Sequence, residues 1–333
     1  MGCNLAIAGV TGAVGQEFLA ILEQREFAFS SLKMLASSRS KGKKILFKGK
    51  EYTVEELTAN SFKGVDIALF SAGGDRSLEF APLAAKAGAV VVDNSSAFRM
   101  DKEVPLVIPE INPEAIKQHK GIIANPNCST IIGIVPVWPL HKANPVKRMI
   151  VSTYQAASGA GAAAMRELET QSHEILDGKK PTCKAFPYQI AFNIFSHNSS
   201  LGANGYNAEE MKMVNETHKI FNCNDIAITC TCIRIPVYRA HCESINLEFT
   251  DPITPDEVRN LLGSAPGVTV LDDREHNRFP MPLDATGKDD IYVGRIRQDF
   301  SMPENRGINI WVAGDQIRKG AALNAVQIAE KLL

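Results

Sequence analysis

Residues 5–8 read LAIA, glycines follow at positions 9, 12 and 15, and Phe18, Leu19 and Leu22 then recur at helical spacing. An apolar run, a glycine-rich turn and an amphipathic stretch, in that order, predict a buried strand, a tight turn and a helix. SLKMLAS, VDIALFSAGG, AVVVDNSS and GIIANPNCS are further short apolar runs, and residues 78–87 carry helical periodicity that stops at Gly88. Strands that are apolar throughout, alternating with helices, belong to a parallel sheet covered on both faces. Pro126 favours an extended Asn125. Asn127 can cap a helix that STIIGIVPVW continues until Pro136 interrupts it.

The pattern changes near residue 146. VKRMIVSTYQAASGAG begins a longer strand, residues 162–176 read as a helix, and residues 177–207 are loop-rich. ITCTCIRIPVYRAHCESINLEF alternates as β structure. RKGAALNAVQIAEKLL closes the chain as a helix with Leu323, Val326, Ile328 and Ala329 apolar. These elements predict an α/β domain of Rossmann type followed by an α+β domain. The chain's 333 residues, 45% of them hydrophobic, suffice for two cores.

Charge and cysteine content narrow the class. Thirty-six basic against 37 acidic side chains leave no basic field for nucleic acid or an anionic membrane. The longest apolar stretch, IIGIVPVWPL, is too short to span a bilayer and carries two prolines. No basic segment precedes the first apolar run, and Ala6 stands where a myristoylation signal needs Ser or Thr. Seven cysteines, an odd number, point to reduced thiols and a cytoplasmic protein. Cys223, Cys230, Cys232 and Cys242 lie near His218 and His241, but no C-x2-C knuckle occurs, so they read as strand residues and no metal is expected.

The glycines at 9, 12 and 15 differ from the G-x-G-x-x-G dinucleotide fingerprint by one residue. The physics is the same: a tight turn, close backbone approach, and a helix N-terminus facing a pyrophosphate. An enzyme selective for NAD usually places an acid after its second strand to bind the ribose 2′-hydroxyl. This chain has LASSRSKGKK, in which Ser37, Ser38, Arg39 and Ser40 offer hydroxyls and a guanidinium to a 2′-phosphate. The expected cofactor is NADP(H).

Cys128 is the candidate nucleophile. A thiol in the first turn of a helix feels its positive end, which favours the thiolate. A thiolate can hold an acyl group as a thioester, and a hydride can be exchanged at the sulfur-bound carbon. One chemistry thus joins the thiol to the nucleotide turn.

GVTGAVG, ASSRSKGK, DNSSAFRM, NPNCST, TYQAASGAG, EEMK, TCIRIPVYRAHCES and RKGAALNAVQIAE together resemble the aspartate-β-semialdehyde dehydrogenase family, from the first strand to the last helix. The resemblance implies NADPH-dependent reduction of aspartyl-β-phosphate to the semialdehyde and phosphate. This step lies on the route to lysine (through diaminopimelate), threonine and methionine. It implies an NADP-binding domain of residues 1–127 plus 316–333, a catalytic and dimerisation domain of residues 128–315, and a homodimer. It makes Cys128 the nucleophile, His241 the acid–base residue and Gln155 an orienting group. Arg234 would clamp the substrate carboxylate, Glu209 would face its amino group, and Lys212 with Arg99 would bind the phosphate. Cofactor contacts would come from Gly9, Thr11, Gly12, Ala13, Val14, Gly15, Ser71 and Gly73, besides the 37–40 loop. Asn94, Ser158, Gly159 and Asn324 would lie on the nicotinamide side. Gln316 stands where the family pattern has Asn.

The substrate's chemistry fits these residues: a carboxylate and a phosphate need cations, and an ammonium needs an anion. Glu209 and Lys212, i and i+3, can share one helical face. One feature resists: Arg234 and His241 are seven apart, which on one flat strand puts them on opposite faces unless the chain bends near Pro236. The nearest alternative is N-acetylglutamyl-phosphate reductase, whose acylated substrate nitrogen would not need Glu209. An acyl-CoA reductase would not need Arg99 with Lys212. An inactive nucleotide-binding redox sensor, or a cysteine hydrolase without cofactor, stays open at this point.

Overall fold

The computed structural model describes residues 2–333; Met1, the first residue of the expected nucleotide domain and of the segment read for targeting signals, lies outside them. The chain divides into two compact units, Met1–Asn127 with Ala321–Leu333, and Cys128–Gly320.

In the first unit β1 (Cys3–Ala8), α1 (Ala13–Gln24) and β2 (Phe29–Ala36) follow the glycine-rich pattern. A hairpin of β3 (Lys44–Phe47) and β4 (Lys50–Thr53) comes next, then β5 (Glu55–Glu56), β6 (Ile67–Phe70), α2 (Gly74–Lys86), β7 (Val90–Asp93) and β8 (Ile122–Ala124). The sheet order is β5-β2-β1-β6-β7-β8, with every pairing parallel. Strand alternation sorts β1 between two cores. Leu5 and Ile7 pack with Phe18, Leu22 and the final helix, while Ala6 and Ala8 pack with Phe62, Ala81 and Ala84. Both faces are covered at the centre of the sheet, which is why Leu5–Ala8 and β6 are apolar without interruption, whereas β2 carries Ser30, Ser31 and Lys33.

The second unit contains α3 (Cys128–Ala143), β9 (Val146–Gln155), α4 (Ala162–Leu176), β10 (Phe195–Ser196), α5 (Ala208–Phe221), β11 (Ala227–Arg234) and β12 (His241–Phe249). It continues with α6 (Pro255–Gly263), β13 (Val268–Val270), α7 (Pro282–Ala285), β14 (Ile291–Gln298) and β15 (Gly307–Gly314). Its mixed sheet has the order β10-β11-β9-β12-β15-β14-β13. Cys230 and Cys232 lie on β11 and Cys242 on β12, all buried.

Three expectations change. The helix from Cys128 runs through Pro136 and Pro139 to Ala143 instead of stopping. Ile131, Ile132, Ile134, Val135, Val137 and Leu140 are all buried along it. Each contributes about 1.5–3 kcal/mol, which together outweighs a cost of about 3 kcal/mol per proline. The segment from Arg234 to His241 is not one bent strand. β11 runs parallel to β9 on one side, and β12 runs antiparallel to β9 on the other. The chain crosses over the end of β9 between them, so the odd spacing places no restriction on their faces. Finally, the C-terminal helix opens with a π-turn, Arg318–Leu323, before the regular Asn324–Glu330. No helix among the described residues is long and apolar enough to cross a membrane.

Candidate functional site

The turn after β1 is shaped by steric exclusion. Gly9 has a φ of +92°, and a Cβ there would lie 2.2 Å from the Ser71 carbonyl oxygen at the end of β6. A Cβ on Gly15 would lie 2.3 Å from the Gly9 oxygen. These two glycines let strand meet strand and helix meet strand. Gly12, the N-cap of α1, is different: a Cβ there would meet only the Gly9 oxygen, at 3.4 Å, so its bare backbone stays open to a ligand. A cavity of ≈ 210 Å³ lies against this turn, lined by Gly9, Thr11, Gly12, Ser37, Arg39 and Ser71 among others. No acid among the described residues lines it, and a helix N-terminus faces an anion favourably. The cradle fits a dinucleotide that carries phosphate groups. Ala13, Val14, Gly15, Ser38, Ser40 and Gly73 are not among its walls; Ser40 is buried, and Gly73, with a φ of +94°, precedes α2. Arg76 does line it, a second guanidinium the sequence reading missed. Its one signal was a basic residue just after the turn that ends β6.

Arg99, Asn94 and Asn324 share a different neighbour. Arg99 is buried; its Nε donates to the Asn125 carbonyl at 2.9 Å and its Nη2 to the Asn94 carbonyl at 2.8 Å. Asn125 Nδ2 donates to Asn94 Oδ1, and Asn324 Nδ2 donates to Asn125 Oδ1, both at 2.7 Å. The three expected ligand contacts thus brace Asn125, three residues before Cys128.

The second unit gathers the remaining candidates at one end of its sheet. Gln155 and Arg234 are register partners at the C-terminal ends of β9 and β11. His241 begins β12, one position beyond the Cys242–Tyr154 pair on the other side of β9. Ala156, just past β9, holds both: its carbonyl accepts from Arg234 Nη1 at 2.8 Å, and its N–H donates to His241 Nδ1 at 3.0 Å. Gly159 marks where they converge, since a Cβ there would lie 3.0 Å from Arg234 Nη1 and 3.1 Å from His241 Nε2. Both side chains are buried, and the guanidinium lies 5.5 Å from the Phe186 ring centre. Arg234 Nε and His241 Nε2 have no hydrogen-bond partner among the described residues. A buried donor aimed at no protein atom is expensive unless a ligand or water meets it.

A capping box between Asn207 and Glu210 starts α5, which sets Glu209 in its first turn. Glu209 accepts from Gln155 Nε2 at 3.1 Å and from Lys212 Nζ at 2.9 Å. The lysine is one-third exposed and the carboxylate nearly buried, so this pair faces inward at one end only. Burial holds the His241 imidazole down to about 3, with Arg234 adding to it. His197 is likewise held at about 4 by burial, within the field of Glu209, Arg234 and Lys212. Sequence reasoning missed His197. Burial also lowers Arg234, while Cys128 and Glu209 act in the opposite direction, which sets the thiol within electrostatic reach of the guanidinium.

Cys128 is the first residue of α3 and is partly exposed. The π-turn brings Gly320 against it: a Cβ on Gly320 would lie 2.9 Å from the Cys128 Cβ. Gly320→Ala should therefore push the thiol aside and cost about 1–3 kcal/mol of stability through overpacking; matched thermal melts and alkylation rates of Cys128 check this. Ser158 accepts from the amide of Gln316, whose oxygen accepts from Ala240 N–H at 2.9 Å. Gln316 thereby supports Ala240, held at a φ of +72° immediately before His241.

Glu243 is fully buried, and neither carboxylate oxygen has a partner among the described residues. Burial pushes its carboxyl well above the usual range. The folded state keeps a proton that the unfolded chain releases, so this group lowers stability as pH rises above the ordinary carboxyl value. The two imidazoles do the reverse, because the unfolded chain takes up protons below about 6.5 that the fold refuses. Stability should therefore fall on the acid side of about 6.5 through the two imidazoles and on the alkaline side through Glu243. Urea midpoints across that range test it, and Glu243→Met should remove the alkaline fall.

Residues 4–119 match a model described as semialdehyde dehydrogenase, NAD binding domain, and residues 137–319 one described as semialdehyde dehydrogenase, dimerisation domain. An aspartate-semialdehyde dehydrogenase of Synechocystis is 56% identical over 99% of this chain and 97% of its own. The crystal structure of aspartate semialdehyde dehydrogenase II from Vibrio cholerae, complexed with ASA, is 46% identical and superposes with a TM-score of 0.96 over 100% of this chain and 98% of its own. That of the Candida albicans enzyme with NADP is 25% identical, with a TM-score of 0.76 over 100% and 98%. The chain belongs to the aspartate-semialdehyde dehydrogenase family.

Proposed function

We propose that this chain interconverts L-aspartyl-β-phosphate and L-aspartate-β-semialdehyde with NADP(H), through a thioester on Cys128, in the route to lysine, threonine and methionine. One observation carries the reading. In a single unit, Arg234 and His241 meet at Gly159 with buried, unpartnered donors, and Cys128 lies within the field of that guanidinium.

The roles follow from charge and geometry. Arg234 Nε is available to the substrate carboxylate, which a fixed guanidinium fork holds in orientation. Glu209 faces the ammonium, with Gln155 bonded to the same carboxylate. Lys212 presents a partly exposed ammonium to the phosphate, and we assign Arg99 to the same group. Cys128 sulfur attacks the acyl carbon and keeps it in place as a thioester. His241 Nε2, buried beside Gly159 and without a partner among the described residues, would meet the oxygen on that carbon.

Gly9, Thr11, Gly12 and Ser71 would hold the dinucleotide, and Ser37 with Arg39 its 2′-phosphate. The bound nicotinamide supplies or accepts the hydride. Removing one charge-assisted contact costs about 1.5–3 kcal/mol, so Arg39→Ala should weaken NADP about 10–100-fold and leave NAD nearly unchanged; fluorescence titration of the nucleotide-free protein reads this directly. The second unit pairs two copies into a homodimer in the cytoplasm. The deciding assay is phosphate-dependent reduction of NADP by aspartate semialdehyde, followed by absorbance. No absorbance change under any phosphate concentration would refute the proposal.

A further inference from the structure

We infer that His197 is a positioning residue, whose ring nitrogen Nδ1 acts through Ser199 to set the first turn of α5 and with it the Glu209 carboxylate. The inference rests on the reading of Glu209 as the group that meets the substrate ammonium.

The place of His197 on the sheet comes first. β10 pairs antiparallel with β11, Phe195 opposite Arg234 and Ser196 opposite Ile233. The His197 N–H donates to the Cys232 carbonyl at 2.8 Å, which carries the ladder one residue past the strand. Alternation then puts the His197 side chain on the face that Phe195 shares with Arg234. Gln155, the register partner of Arg234 on β9, lies on that face too, and its bond to Glu209 brings the start of α5 over it.

A helix leaves its first N–H groups without intrahelical partners. In α5 the first three are all met. Ala208 N–H donates to the Ser200 carbonyl at 2.8 Å, Glu209 N–H to Ser199 Oγ at 3.1 Å, and Glu210 N–H to Asn207 Oδ1 at 3.0 Å. The capping box supplies only the last of these. The other two come from the turn that follows His197, and that turn closes on the ring. Ser199 N–H donates to His197 Nδ1 at 3.3 Å, and Ser199 Oγ lies 3.1 Å from the same nitrogen. The hydroxyl donates to Asn207 Oδ1 at 3.2 Å, which leaves its lone pairs for the Glu209 N–H. One line of contacts therefore runs from β11 through His197 and Ser199 to the backbone of Glu209. Gln155 and Lys212 hold the carboxylate itself, one on each oxygen, and each oxygen keeps a lone pair for an ammonium.

The arrangement needs a neutral ring. A peptide N–H can only donate, so Nδ1 must present its lone pair; an imidazolium would set a hydrogen against that of Ser199. Burial, with Arg234 of β11 and Lys212 of α5, holds the ring at about 4 against the pull of Glu209, so the contact persists at neutral pH.

Replacement by shape tests this. His197→Asn keeps an acceptor at the place of Nδ1, whereas His197→Gln reaches the place of Nε2 and leaves Ser199 without its partner. With thermal melts showing each variant folded, His197→Ala, His197→Gln and Ser199→Ala should each raise KM for aspartate semialdehyde about 3–10-fold, the loss of one hydrogen bond between neutral groups. Turnover at saturation should change little, because the ammonium is bound equally before and during the reaction. His197→Asn should restore most of the KM, and on a Glu209→Gln background His197→Ala should add nothing. Hydrogen exchange at the Glu209 amide should quicken in His197→Ala and return toward wild type in His197→Asn. Recovery by His197→Gln and not by His197→Asn would place the role in Nε2 and overturn the inference, as would additive losses in the double variant. Unchanged exchange at the Glu209 amide in His197→Ala would overturn it whichever way KM moves. A wild-type KM in Glu209→Gln would instead refute the ammonium reading, while quickened exchange would still show that His197 sets this turn.

Discussion

Cys128→Ser should lose turnover by a factor on the order of 10⁴–10⁶, comparable to removal of other covalent nucleophiles, while the protein still folds and binds its nucleotide. The size follows from ionisation. A thiol titrates near ~8.5 and is lowered further at a helix start, whereas a serine hydroxyl stays protonated there. The replacement is nearly isosteric, and the side chain is only partly buried, so stability should change by less than about 1 kcal/mol. Nucleotide affinity should hold because the cavity walls lie between Gly9 and Arg76, in the other compact unit. Turnover, a thermal melt and a nucleotide titration on one preparation separate lost chemistry from lost structure. Retained turnover would remove the nucleophile assignment.

Arg234→Lys should be almost as damaging as Arg234→Ala to the use of the natural substrate. A carboxylate held by a fixed fork loses both geometry and charge-assisted bonds when the fork becomes a point charge. Loss of about 3–4 kcal/mol gives a fall in kcat/KM of roughly 10²–10³-fold. The loss should appear mostly in KM, since the carboxylate is equally charged before and during the reaction. A substrate analogue without that carboxylate should react as poorly with wild type as with the variant, so the two losses are not additive. If the arginine were merely structural, bonded to Ala156 and stacked on Phe186, analogue and natural substrate would suffer equally.

The parts of this molecule written in local pattern were legible. Leu5 and Ile7 against Ala6 and Ala8 gave a strand with two buried faces, and those faces carry the two cores of the parallel sheet. Gly9 and Gly15 announced a close approach, and each would clash with backbone if it gained a Cβ. Long-range arrangement was not legible. Nothing in RIPVYRAHCES says that β9 lies between Arg234 and His241, because strand order is set by packing across the whole sheet. Helix α3 passes through two prolines because residues 129–137 and Leu140 are buried, a property no local rule for proline contains. Ala156 and Gly320 escaped notice for a related reason. They act through a backbone N–H, a backbone carbonyl and a missing side chain, none of which leaves a chemical mark in the sequence. Asn94, Asn324 and Arg99, expected as ligand contacts, also brace Asn125, a structural role that nothing in their local sequence announced.

The covalent step is tested most directly by stopping it. Enzyme mixed with aspartate semialdehyde and NADP in phosphate-free buffer should accumulate the acyl group, because the acceptor that releases it is missing. Digestion and mass spectrometry should then find one aspartyl adduct, on the peptide containing Cys128, released by hydroxylamine. A burst of reduced nucleotide with no adduct on that peptide, or with the adduct on Cys230, Cys232 or Cys242, would contradict the account.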